Sequence, residues 1–79
     1  MFADRLARGR QYLADGNAKK GNQELYEAIF EARDASELEA VRSAIRDGAE
    51  QVGWLHRHRY REILRVVDKH LELRGHRAA

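Results

Sequence analysis

Apolar residues recur along this chain at helical spacing. Phe2, Leu6, Gly9 and Leu13 follow one another at intervals of four, three and four, which places them on one stripe of a helix. Asp15-Gly16-Asn17 then supplies the Gly and Asn suited to a left-handed cap, so a first helix is expected over about 2-15. Lys19-Lys20-Gly21-Asn22 extends the loop, with Asn22 as the expected N-cap of a second helix over about 22-33. Leu25, Ala28, Ile29 and Ala32 share one face of that helix, with Tyr26 and Phe30 on its flank.

Phase decides where the second helix stops. Carried on at about 100° per residue, its stripe would fall on Ser36, Glu39 and Ser43, all polar. The apolar stripe resumes instead at Leu38, Val41 and Ile45, roughly on the opposite side. A break near Asp34-Ala35-Ser36 restores the register, and Ser36 with Glu39 three residues on fits a capping box. These two helices read as a tight hairpin.

From Ser36 the stripe stays in phase through Leu38, Val41, Ile45, Ala49, Val52, His56, Tyr60, Ile63, Val67 and His70. The simplest reading is one long helix over about 36-74, on the order of 58 Å at 1.5 Å per residue. Gly48 and Gly53 are its weak points, each costing roughly 1 kcal/mol against Ala, and a kink or break between them is the alternative. Gly75 closes the helix and His76–Ala79 are expected to fray. No stretch alternates with period two and Pro is absent, so the fold class is all-α, a single helical domain over 1-79.

An unbroken third helix has a consequence for partners. Val52, Leu55, Tyr60, Ile63, Leu64, Val66, Val67, Leu71 and Leu73 spread over about half its circumference, where a surface helix needs a stripe little more than 100° wide. A hairpin of two short helices covers only part of that length. The rest calls for a partner, most simply a two-fold homodimer through Val52, Tyr60, Ile63, Val67, His70 and Leu71. A break at Gly48–Gly53 would instead fold the chain into a compact four-helix monomer.

Composition narrows the chemistry. The chain has 79 residues and no Cys, which removes disulfides and every thiolate zinc site as supports for a small core. No apolar run approaches the roughly 18 residues of a membrane span, and Met1–Arg10 has no signal-peptide core. A cytoplasmic protein with no membrane contact is the expectation. Net charge is only +2, but it is distributed: Asp34–Gly53 is acidic, whereas the chain from Trp54 onward is basic.

That basic end holds the main candidate site. On a helix, Arg57, Arg61, Arg65 and Lys69 line one solvent face with Trp54 and His58 beside them. The ridge is read as a partner- or phosphate-binding surface, with Trp54 stacking on a base or anchoring a protein. Trp54 has a second reading, in which Gly53 bends the chain and turns the indole into the core. Glu62, Asp68 and Glu72 interleave with the ridge, so a merely solvated face with local ion pairs is the bland alternative. A helix–turn–helix over Gln23–Asp47 is disfavoured, because its recognition helix would open with Ser36-Glu37-Leu38-Glu39 and present carboxylates to phosphate.

The remaining chemistry is thin. His56 and His58 diverge by about 200° on a helix, and no His pair has ligand spacing, so no metal is expected. His56, Arg59 and His70 fall within the apolar arc and read as a polar layer at an interface. Ser36 and Ser43 are the only serines, neither has a His at helical spacing, and no phosphate loop occurs. No cofactor and no enzymatic activity are expected. The leading functional reading is a small helical protein-protein interaction module, an adaptor or inhibitory regulator that self-associates through its long helix. The alternative is a nucleic-acid-binding regulator using the basic ridge.

Overall fold

Four helices follow one another in the computed structural model: α1 (Phe2–Ala14), α2 (Ala18–Glu31), α3 (Ala35–Val52) and α4 (Arg57–Leu73). It describes residues 1–52 and 57–73, and the side chains of residues 1–50 and 60–73. There is no strand among the described residues. The all-α expectation is met, but the single helix over 36-74 is corrected to two. α3 stops at Val52, α4 starts at Arg57, and Arg42 reaches Asp68 at 3.4 Å, so the two helices fold back on each other. Phase continuity across the interruption is therefore uninformative, since two separate helices share no common phase. The stripe that α4 buries is Tyr60, Val67 and Leu71 with Leu64 and Ile63 beside it, whereas His70 sits at its edge.

Gly48 is not the break. It lies inside α3, and a Cβ there would collide with Leu13 Cδ1. Leu13 is held on its other side as well: a Cβ on Gly21 would sit 2.6 Å from Leu13 Cδ2. Gly9 leaves room for Leu25 in the same manner, with 2.7 Å to Cδ2. Glycines on α1, α2 and α3 thus let three backbones close around two leucines.

The α1–α2 turn is tighter than expected. Gly16 takes a φ of +84°, its N–H bonds Leu13 O at 3.0 Å, and the Asn17 N–H bonds Tyr12 O at 2.8 Å. This pair of bonds is a Schellman closure. Asn17 is at once the residue after it and the N-cap of α2, its side chain accepting the Lys20 N–H at 3.2 Å. Asn22, the expected cap, instead lies one turn into α2 and is buried. The next turn is likewise capped earlier than expected, here by two residues. Asp34 Oδ1 accepts the Glu37 N–H at 2.9 Å, Glu37 Oε1 accepts the Arg33 N–H at 2.7 Å, and Ser36 is exposed. An acid three residues before another acid does the work expected of Ser36 and Glu39, because a carboxylate caps as well as a hydroxyl.

Antiparallel α1 and α2 are pinned along their outer edge by Arg5, which bonds Glu31 at 2.6 Å and Glu27 at 3.2 Å. These carboxylates, chiefly the Glu31 hydrogen bond, push the Arg5 pKa further up. α1 also packs on α3, and α4 packs on α3 and α2. The core they enclose is built from Leu13, Leu25, Ile29, Leu38, Val41, Ile45, Tyr60 and Val67.

Candidate functional site

α2 and α4 run in the same direction side by side, and their outer rim carries an aromatic row. The Tyr26 ring meets the Phe30 ring edge-on at 5.3 Å, and Phe30 meets the His70 ring edge-on at 5.2 Å. Helical spacing explains the first contact, since residues four apart stack along one face. Helix packing explains the second. His70 is fixed by its own helix, Nδ1 donating to the Val66 carbonyl at 2.9 Å.

These rings are not in the core. Phe30 is 59% exposed, Tyr26 43%, and Leu73, one turn beyond His70, 74%. Val66 and Ile63 are partly buried between this rim and the core. Edge-to-face aromatic contacts hold Phe30 in place while leaving its outer face in solvent. The row can serve as an apolar anchor for a macromolecular surface.

Beneath the rim lies a buried polar pair. Asn22 is 7% exposed and Tyr60 1%. The Asn22 amide is the polar neighbour of the Tyr60 hydroxyl, yet neither completes a hydrogen bond of full geometry. Burial pushes the Tyr60 pKa up, and the amide offsets part of that shift by favouring the phenolate. A second feature is a half-open cleft of about 320 Å³ between α1 and α3, lined by Arg10, Leu13, Ala44, Asp47, Gly48 and Glu50. Its guanidinium is occupied, Arg10 bonding Asp47 at 3.1 Å.

The residues expected to bind fall in different places. Arg61, Arg65 and Lys69 are exposed on α4, as the ridge reading requires. Arg57 and His58 belong to α4, but their side chains, and Trp54 and His56 entirely, lie outside the described residues, as does the side chain of Val52. Lys69 is 3.8 Å from Glu72, and Asp68 is engaged by Arg42. The expected oligomer interface turns inward. Tyr60, Val67 and Leu71 belong to the chain's own core and Ile63 packs against it. Of that set, His70 reaches the rim. Of the apolar length that called for a partner, Tyr60, Val67 and Leu71 are buried within the chain and Ile63, Leu64 and Val66 partly so, whereas Leu73 stays exposed. Among the described residues, no group of three His, Asp or Glu could hold a metal. No helix among them is long and apolar enough to cross a membrane.

The sequence pattern marks Tyr26 and Phe30 only as flank residues. Their signal was two aromatics four apart on the polar side of an amphipathic helix. What gave them meaning is His70, forty residues on in the chain. Comparison with protein-family models, with curated proteins and with solved structures found no match, so a functional reading rests on this geometry.

Proposed function

We propose that this chain is a non-enzymatic helical protein-docking module whose contact surface is the rim of α2 and α4 centred on Phe30. The observation that supports it is a ring held edge-on by His70 and Tyr26 while more than half exposed. A large aromatic already fixed in one orientation loses little entropy on binding, which is the character of an interface anchor. Leu73 and Val66 extend the apolar area along α4. The nucleic-acid reading of Arg61, Arg65 and Lys69 ranks second, because Glu62, Asp68 and Glu72 alternate with them on the same helix.

Site-specific crosslinking tests this. A benzoylphenylalanine at position 30 should link the chain to protein in the native host, whereas the same probe at Ser43, exposed on α3, should not. Equal labelling from both positions would refute the rim as the docking surface.

A further inference from the structure

We propose that the seam between α3 and α4 is a second contact surface, on which Arg46, Arg61 and Arg65 hold the phosphates of a nucleic-acid duplex. It does not rest on the docking reading above. Asp68, which faces α3, and His70, which faces Phe30, point about 200° apart on α4, so the seam and the rim lie on different flanks.

The ion pair of Arg42 with Asp68, at 3.4 Å, fixes which helix faces meet. Arg46 stands one turn after Arg42 within α3 and shares its face. Arg65 and Arg61 stand three and seven residues before Asp68 within α4 and share its face. Because α4 folds back on α3, a turn forward from Arg42 and a turn back from Asp68 advance by the same distance, about 6 Å. Arg46 therefore comes level with the stretch between Arg61 and Arg65. All three are exposed and form no ion pair among the described residues.

The acids that interleave with the arginines along α4 are placed differently once α3 is beside it. Asp68 is taken by Arg42, which Glu39 also meets at 3.9 Å, and Glu72 lies 3.8 Å from Lys69. Glu62, two residues from the buried Tyr60, points outward from the bundle. Glu50, one turn beyond Arg46, leaves one carboxylate against three guanidiniums. The described residues of this flank, Ser43, Arg46, Glu50, Arg61 and Arg65, are polar. A protein interface needs an apolar centre, whereas a nucleic-acid interface is polar and positively charged. With no aromatic among these residues to stack on a base, the contacts go to backbone phosphates, which the planar guanidinium fork fits, without sequence preference.

Fluorescence anisotropy of a labelled mixed-sequence DNA duplex tests the proposal, with circular dichroism as a check on folding. Neutralising three phosphates should make the affinity fall about fortyfold between 50 and 200 mM salt. Arg46→Ala and Arg65→Ala, at exposed positions without an ion pair, should stay helical and each flatten the logarithmic salt slope by about one. Arg8→Ala, exposed on α1, should leave that slope unchanged. No binding at 50 mM salt, a slope indifferent to Arg46→Ala, or an equal loss from Arg8→Ala would each overturn the proposal. Phosphatidylcholine vesicles containing phosphatidylserine provide the remaining arm: if they bind the chain and the duplex does not, the seam meets a membrane surface and the proposal falls. Crosslinking from position 30 reads the rim alone, so the two readings fail separately.

Discussion

Leu13 fills the space that a side chain at Gly48 would need. A Cβ on Gly48 would overlap Leu13 Cδ1, and on the opposite side Leu13 packs so close to Gly21 that a Cβ there would sit 2.6 Å from Cδ2. Leu13 is 1% exposed, so a shift of its methyl groups has to displace core neighbours. Helix propensity and packing then make opposite predictions for one substitution.

By propensity alone, Gly48→Ala within α3 should stabilise by up to about 1 kcal/mol. Overpacking against a buried leucine should instead destabilise by about 1–3 kcal/mol. Chemical denaturation should give the second sign. In the double variant Leu13→Ala/Gly48→Ala, the Gly48 change should cost markedly less, because its collision partner is gone.

Capping gives a second test. Asp34→Ala should destabilise by about 1 kcal/mol, since it frees the Glu37 N–H at the start of α3. Ser36→Ala should stay within about 0.5 kcal/mol, as expected for an exposed position with no cap to lose. Equal effects would return the cap to Ser36.

Tyr60 predicts a pH dependence with a definite sign. Its folded-state pKa is raised above the ordinary value of 10.0, mainly by burial. Above that ordinary value the unfolded chain loses the proton first, so the contribution of Tyr60 is intact below about pH 10 and is lost as pH rises through the folded pKa. Tyr60→Phe should flatten this alkaline loss relative to the parent chain in urea titrations. At neutral pH it should be near neutral or slightly stabilising, because the hydroxyl it removes lacks a full hydrogen bond.

The Phe30–His70 contact is measurable by a double-mutant cycle. Phe30→Ala and His70→Ala should couple by about 0.5–1.5 kcal/mol, the range of edge-to-face pairs. A coupling near zero would mean that Phe30 is not held in place by His70, and the preorganised anchor would lose its footing.

Much of the fold was legible along the chain. The spacing of Leu25, Ala28, Ile29 and Ala32, and of Leu38, Val41 and Ile45, marked the buried faces of α2 and α3, and all seven are buried. Gly16 in a left-handed turn was likewise marked by its neighbours Asp15 and Asn17. Cap positions slipped because Asp34 and Asn17 compete with Ser36 and Asn22 for the same role, and local propensity ranks them almost equally.

The sequence by itself determined an all-helical fold, because periodicity and capping are local and need only neighbours three and four residues away. It also determined the polarity of each helix face. Tertiary structure decided where the apolar arc of α4 is buried: α3 ends at Val52, α4 starts at Arg57, and α3 and α2 cover Tyr60, Val67 and Leu71 within the chain. It decided the role of Gly48, which local rules mark as a weak point and which Leu13 requires to be small. It also brought Phe30 to His70, a contact between residues distant in sequence. Such pairings are set by the closure of helices on one another, and no window of local sequence contains both partners.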